Sequence, residues 1–270
     1  MKWLVVTFLL TVTQTAWPQY KSGTVIFLSL SENQLTVAAD SRITFGSGEY
    51  QDTECKISAF GSKFIFTMAG VAENGTKWNA RSIARQIWQS ESKDGSGASD
   101  LHIRVSDKWI TAMEKVYDDP ALIAASRTQT GTDYLASAAF AALDKSGKIN
   151  VMLVDIGFDL RFFDATGKIR FFADRRILLK QSALGHADVV TEFLSRSSER
   201  SIAYMEWFDT TSAALSRSKE QAALASKFIE LSILLHPKNT ELGFPIDVVQ
   251  FGPPPLGIHW IWIKPNCQQN

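Results

Sequence analysis

Five residues among the first 70 have groups suited to hydrolysis. Thr24 carries a hydroxyl group, and Asp40, Arg42, Lys56 and Gly70 follow it by 16, 18, 32 and 46 residues. Each lies at the end of a strand-like segment or in a turn, where groups from neighbouring strands can converge. Taken singly they are ordinary: a strand threonine, a surface ion pair, a strand-end lysine and a turn glycine. Their joint spacing favours a catalytic site.

A threonine hydroxyl is weakly nucleophilic at neutral pH and needs a base. An α-amino group, with a pKa of roughly 7.7–8.0, can accept that proton. Thr24 would supply both groups if the Gly23–Thr24 bond were cut. Because Gly23 has no side chain, it leaves room for the hydroxyl of Thr24 to attack the preceding carbonyl.

The other four residues have complementary roles in this hypothesis. Lys56, as a nearby cation, would lower the pKa of the hydroxyl and of the amine. Asp40 would pair with Lys56 and hold it in place. The backbone N–H of Gly70 would donate to the oxyanion, a role in which one donor contributes about 3 kcal/mol. Arg42 would brace the site rather than react.

Four short segments carry a family resemblance: "GT" at 23–24, "AADSR" at 38–42, "CKI" at 55–57 and "TMAG" at 67–70. Together they resemble the catalytic β-subunits of the proteasome and their simpler bacterial relatives. The match is dense over residues 23–72 and mainly topological elsewhere. It implies an α+β protein with a four-layer αββα sandwich, in which two antiparallel sheets lie between helix layers. It also implies a nucleophile at the start of the mature chain and assembly into a homo-oligomeric ring.

The resemblance implies a substrate pocket as well. Its first specificity pocket would be formed by Ile43, Glu54, Met68 and Ala72. Met68 at its base is flexible and apolar, which suits a hydrophobic side chain, and Glu54 would add a negative rim. The alternative is that all four are core and edge positions.

Further supporting groups of the family fall on less similar residues. One serine position would lie near Ser182 or Ala183, and an aspartate and a second serine near Asn239 and Leu242. In this alignment the aspartate is an asparagine and at least one serine is lost. The amine would then lack part of its hydrogen-bonding shell.

The remaining chain alternates between strand-rich and helix-rich segments. Residues 76–92 and 109–117 have helical periodicity, as do residues near 187–195 and 211–236. Strands are predicted at 134–156 and near the C-terminus, with a hairpin at 161–172. This order is not an alternating βαβ pattern, which disfavours a doubly wound parallel sheet. We expect a single domain over residues 24–270.

The N-terminal segment is typical of a secretory signal peptide, with a lysine, an apolar run and a more polar end. The prediction is a signal peptide at 1–19 and a residual propeptide at 20–23, which makes the protein exported, either periplasmic or secreted. The apolar run is too short for a permanent membrane span. The alternative is a cytoplasmic protein with an apolar pro-segment.

Composition argues against several classes of partner and cofactor. Basic and acidic residues number 28 each, which gives no reason to expect nucleic acid or an anionic membrane surface as a partner. No metal-ligand spacing and no phosphate-binding loop is found, so neither a metal nor a cofactor is expected. The spacing of Cys55 and Cys267 cannot decide whether they form a disulfide.

These observations predict an exported threonine-type endopeptidase that matures by self-cleavage and acts on peptides or unfolded polypeptides. Two alternatives stay open. One is a catalytically inactive scaffold or binding subunit that keeps residues 17–23. The other is an amidase that acts on a non-peptide substrate through the same nucleophile.

Overall fold

A computed structural model describes residues 20–22, 24–45, 49–75, 77–93, 100–124, 133–213, 217–235 and 242–267. The predicted signal peptide at 1–19 lies outside the described residues, as do Gly23 and Asn239. Among the helices that the structure describes, none is long and apolar enough to cross a membrane.

Apolar and alternating segments form the strands. They are β1 (Tyr20–Ser22), β2 (Val25–Ser31), β3 (Gln34–Ala39), β4 (Ile43–Phe45), β5 (Tyr50–Gln51), β6 (Ile57–Phe60), β7 (Phe64–Gly70), β8 (Glu73–Asn74), β9 (Trp78–Asn79), β10 (Tyr134–Leu143), β11 (Ile149–Phe158), β12 (Phe171–Ile177), β13 (Gln181–Gly185), β14 (Asp247–Gly252) and β15 (Gly257–Trp262).

Segments with helical periodicity form the helices. They are α1 (Ala80–Lys93), α2 (Leu101–Tyr117), α3 (120–124), α4 (Leu160–Thr166), α5 (Asp188–Ser195), α6 (Glu199–Ser212) and α7 (Arg217–Leu235), with a 3₁₀ turn at Pro265–Cys267.

The strands form three antiparallel sheets. Sheet I has the order β12–β11–β10–β7–β6, and sheet II has the order β13–β2–β3–β14–β15. Sheet III is built from short strands in the order β5–β4–β1–β8–β9. The predicted β2–β3 hairpin is confirmed, with Ile26 opposite Ala39.

The central strands of the two long sheets are buried on both faces, and successive side chains point to opposite faces. In β2, Ile26 and Leu28 pack with Ile65 of β7 in one apolar cluster. Their neighbours Val25 and Phe27 point the other way, into a cluster with residues of α5 and α7. On sheet I, the outer face of β7 packs with residues of α1 and α2. The strand ends that carry the candidate site are therefore held by cores on both sides.

The predicted four-layer αββα sandwich is wrong. That prediction placed every strand in two sheets, whereas the described residues form two large five-stranded sheets and a third five-stranded sheet beside them. The reason lies in residues 40–79, whose polar turns contribute the short strands β4, β5, β8 and β9. Two- and three-residue strands have too few side chains for a period of two to be recognised in the sequence.

The predicted hairpin at 161–172 is also wrong, because α4 covers the first half of it. Asp159 caps this helix by accepting a hydrogen bond from the backbone N–H of Phe162, and Gly167 ends it in the left-handed conformation. The helix-capping effect of Asp159 and Gly167 is therefore stronger than the preference of the aromatic residues for a strand.

Candidate active site

Thr24 lies between β1 and β2 and is buried, with 4% of its surface exposed. Its carbonyl oxygen accepts a hydrogen bond of 2.8 Å from the backbone N–H of His186. Gly185, which precedes His186, has a φ of 75°, and a Cβ there would meet the Thr24 carbonyl oxygen at 2.1 Å. Only glycine therefore allows the end of β13 to approach Thr24. The sequence analysis did not identify Gly185 as part of the site. The only feature that could have indicated it is a glycine at the end of a strand.

Asp40 follows β3, is fully buried and accepts four hydrogen bonds. Its Oδ1 atom accepts from the backbone N–H of Val25 over 2.9 Å and from Lys56 Nζ over 3.1 Å. Its Oδ2 atom accepts from the backbone N–H groups of Arg42 and Gly243, over 3.0 and 3.2 Å. A carboxylate suits this set of donors because it offers only acceptors. Asp40 thus connects the residue after Thr24 to Lys56.

Lys56 is buried immediately before β6. Besides its ion pair with Asp40, its Nζ atom donates to the backbone carbonyl of Arg42. Burial lowers the pKa of the Lys56 ammonium, while the charges of Asp40 and Glu54 act in the opposite direction. Its own carbonyl accepts a 2.9 Å hydrogen bond from Thr67 Oγ1. Hydrogen bonds to both its backbone carbonyl and its side-chain nitrogen therefore fix the position of Lys56.

Arg42 is directed away from this centre. Its guanidinium binds both carboxylate oxygens of Asp52, over 2.6 and 2.7 Å, and lies 3.9 Å from the ring centroid of Tyr50. The hydrogen bond that Arg42 donates to the Asp52 carboxylate is the main cause that raises the pKa of Arg42. Arg42 thus holds the segment that follows β4, and it does not line the pocket described next.

A small, partly open pocket lies beside Thr24. It is lined by three of the predicted catalytic residues, Thr24, Lys56 and Gly70, and by the four predicted substrate-binding residues, Ile43, Glu54, Met68 and Ala72. Asp40 lies behind Lys56 and does not line it. The strand ends thus bring seven predicted site residues to one cavity.

Sequence reasoning missed four lining residues. They are Phe66, Glu73, Asn79 and Arg81. Arg81 forms an ion pair of 2.6 Å with Glu54, and Asn79 donates to Glu73 over 2.7 Å. The pocket therefore has an apolar base and charges of both signs at its side. Phe66 lies in β7, while the other three lie in or beside β8 and β9, which are too short to stand out in the sequence.

Strand β1, which leads into Thr24, lies between two strands that contribute to the pocket. Ser22 is paired with Thr44 of β4, and Tyr20 with Asn74 of β8. Both neighbours are antiparallel to β1. Residues 20–22 are therefore held as the central strand of sheet III.

The C-terminal segment also reaches this region. Cys267 forms a disulfide with Cys55, the residue before Lys56, with a Cα–Cα distance of 5.5 Å. Lys264 Nζ binds Asp247 Oδ2 and Ser41 Oγ, both over 2.5 Å. The spacing of the two cysteines left their pairing open, and the structure shows that they form a disulfide.

The positions that the resemblance suggested for further supporting groups lie outside the pocket lining. Ser182 and Ala183 pair with Leu28 and Phe27 of β2. Leu242 is buried in the apolar cluster beneath α5 and α7. Its neighbour Gly243, rather than Leu242 itself, donates to Asp40.

Within the described part of the chain, no group of three or more His, Cys, Asp or Glu residues could hold a metal ion. The side chains that line the pocket supply the hydroxyl of Thr24, the buried amine of Lys56, the carboxylates of Glu54 and Glu73 and the guanidinium of Arg81. No family model matches this sequence, and no curated protein matches it either.

Proposed function

We propose that this chain is a hydrolase with Thr24 as its nucleophile, activated by self-cleavage of the Gly23–Thr24 bond. One observation carries the proposal: Thr24, two residues after the end of β1, lines a pocket that Lys56 and Gly70 also line. A scissile bond, a hydroxyl, a cation and a candidate oxyanion donor are the parts that acyl transfer requires.

Self-cleavage would proceed by transfer of the acyl group from nitrogen to oxygen. The Thr24 hydroxyl adds to the Gly23 carbonyl carbon, and the peptide C–N bond then breaks. This leaves an ester on Thr24, while the hydroxyl proton passes to the departing nitrogen. Water hydrolyses the ester, which restores the hydroxyl and releases the preceding segment with a terminal carboxylate.

The freed amine would then serve as the base in substrate hydrolysis. It accepts the hydroxyl proton as Thr24 attacks a carbonyl, and it returns the proton to the leaving amine. The cation of Lys56 lowers the pKa of both groups on Thr24. The Gly70 backbone N–H stabilises the oxyanion, and water completes the cycle by hydrolysing the acyl-enzyme.

The strand geometry favours a peptide as the substrate. Once β1 leaves, β4 and β8 would each have an open edge, and an extended peptide can add to such edges as a strand. Its carbonyl would then lie beside Thr24. A non-peptide amide could not form these backbone hydrogen bonds, which makes the amidase alternative less favoured.

The pocket suits an apolar side chain with a polar end. Met68, Ile43 and Ala72 supply apolar surface, and the Glu54–Arg81 ion pair lies at its side. If the protein is exported, as the N-terminal segment predicts, ATP-driven unfolding is not available there. We therefore propose short peptides or already unfolded chains as substrates.

The mass of the mature protein tests the proposal. The full chain is expressed with export, and its N-terminus is determined by mass spectrometry for the wild type, Thr24→Ala, Lys56→Met and the control Lys63→Met. Lys63 is exposed in the turn between β6 and β7. We expect a start at Thr24 in the wild type and the control, and an uncut 20–23 segment in the other two. Two outcomes would overturn the proposal. One is a wild type that keeps residues 20–23, and the other is a Thr24→Ala chain that is still cut between residues 23 and 24.

A further inference from the structure

A second buried ion pair lies beside the first and has no role in the mechanism above. Lys264 and Asp247 are 6% and 1% exposed, and their side chains are 2.5 Å apart. Asp247 also accepts a 3.1 Å hydrogen bond from the backbone N–H of Lys264. The third member, Ser41, receives a hydrogen bond from Lys264 Nζ and donates to the carbonyl of Pro245.

The group formed by Lys264, Asp247 and Ser41 is joined to the candidate site by a peptide bond, by hydrogen bonds through Gly243 and by a disulfide. Ser41 follows Asp40, and its backbone N–H donates to the carbonyl of Gly243 over 3.0 Å. Gly243 in turn donates to the Asp40 carboxylate. The Cys55–Cys267 disulfide ties the segment after Lys264 to the residue before Lys56. The Lys264 group therefore holds both ends of the Asp40–Lys56 pair.

Stability alone gives a weak reason for such a pair. Desolvating two charges offsets most of their attraction, and apolar residues of similar size often stabilise a core as well or better. A charge and a set of directed hydrogen bonds, by contrast, can position neighbouring groups. The cluster is thus better suited to orienting the site than to stabilising the fold.

We propose that Lys264 is a positioning residue, which through Ser41 and its own charge holds the Asp40–Lys56 pair in the geometry needed to activate Thr24. The proposal rests on the proposed function. Lys264 does not line the pocket, so it acts through its neighbours and touches no substrate.

The charges around Lys56 determine what the removal of Lys264 should do. Asp40 faces Lys56 from the turn after β3 and Glu54 from the segment before β6. Lys264 acts from the C-terminal segment, where its ion pair with Asp247 of β14 partly offsets its charge. Burial is the largest cause that lowers the pKa of Lys56, and the charge of Lys264 lowers it further. Without that charge, the pKa values of Lys56 and of the Thr24 hydroxyl should rise.

The rate of self-cleavage against pH tests the proposal without a diffusible substrate. Full-length precursor is made by cell-free synthesis, and cleavage is followed by intact mass in the wild type, Lys264→Met, Lys264→Arg and Asp247→Asn. We expect Lys264→Met to cleave about tenfold more slowly at neutral pH, with its pH–rate curve moved to higher pH. Lys264→Arg should keep the position of the curve, and Asp247→Asn should move it down.

The control is Lys227→Met on α7, which removes a half-exposed lysine paired with Glu230 and should leave the curve unchanged. A Lys264→Met chain with the wild-type rate and pH dependence would overturn the positioning role. If Lys264→Met does not fold, Ser41→Ala decides, because it removes only the hydroxyl between Lys264 and the turn after β3. Wild-type cleavage in Ser41→Ala would overturn the proposal.

The two proposals fail differently. If Thr24 is not the nucleophile, Thr24→Ala precursor is cut as fast as the wild type. If only the positioning role is wrong, cleavage depends on Thr24 but not on Lys264.

Discussion

The backbone N–H of Val25 donates to Asp40 Oδ1 over 2.9 Å, and the same oxygen accepts from Lys56 Nζ. One carboxylate oxygen therefore sets the position of the residue after Thr24 relative to the buried ammonium. The other oxygen is held by the backbone N–H groups of Arg42 and Gly243. Asp40 is thus the point where β2, β3 and the loop before β14 meet.

Asp40→Asn should prevent self-cleavage and weaken the fold. An amide offers one acceptor oxygen to the four donors and places an NH₂ group against them, while Lys56 loses its ion-pair partner. We expect the free energy of unfolding to fall by about 3–5 kcal/mol, measured by urea unfolding in the Thr24→Ala background. The control Asp52→Asn affects a partly exposed ion pair and should cost about 1 kcal/mol or less. Equal losses in both variants would contradict this role of Asp40.

Gly185→Ala should disturb Thr24, and Gly167→Ala provides a matched control. Both glycines have a positive φ, 75° and 67°, so both substitutions carry similar backbone strain of about 1–2 kcal/mol. A Cβ at Gly185 meets the Thr24 carbonyl at 2.1 Å, while a Cβ at Gly167 meets nothing within 4 Å. We expect only Gly185→Ala to slow self-cleavage, by tenfold or more, as followed by mass spectrometry. Equal cleavage rates in the two variants would show that the approach of β13 does not position Thr24.

Cys267→Ser should destabilise the protein and slow its maturation. The disulfide joins residues 212 positions apart, so it removes much freedom from the unfolded chain and should contribute about 2–5 kcal/mol. Its loss also frees the segment that carries Lys264. Urea unfolding with and without a reductant measures the first effect, and intact mass over time measures the second. Cys55→Ser and the double variant should match Cys267→Ser, and a reductant that shifts the unfolding of any of them would contradict this account.

His102 should make the fold sensitive to mild acid. It is buried at the start of α2, and within the described structure its Nδ1 atom has no hydrogen-bond partner. Burial lowers the pKa of His102, and Asp100 and Asp144 only partly oppose this. Below about pH 6.5 the unfolded chain binds a proton that the native state binds more weakly, so stability falls as the pH falls.

The expected loss between pH 7 and pH 5 is up to about 2 kcal/mol from this one group, measured by urea unfolding at several pH values. His102→Phe should remove that part of the pH dependence. The exposed His259 is the control, and His259→Gln should leave the dependence in place. An unchanged pH dependence in His102→Phe would show that another group is responsible.

The sequence by itself determined the features that form between residues close together in the chain. The β2–β3 hairpin, the strands around Gly61 and the helical stripes of α1, α2 and α7 follow from local periodicity and turn residues. The spacing of Thr24, Lys56 and Gly70 also arises within 50 residues, because it depends on the lengths of short connected strands. The number of residues between these positions can therefore be recognised in the sequence alone.

Only the tertiary structure decided what depends on segments far apart in the chain. Gly185, Gly243 and Lys264 reach the surroundings of Thr24 from more than 160 residues away. Gly185 approaches the Thr24 backbone, Gly243 donates to Asp40, and Lys264 binds Ser41, the residue after Asp40. Sheet III and the Cys55–Cys267 bond likewise require the folded chain. The physical reason is that local propensity determines strands and turns, whereas contacts between distant residues exist only once the sheets have packed.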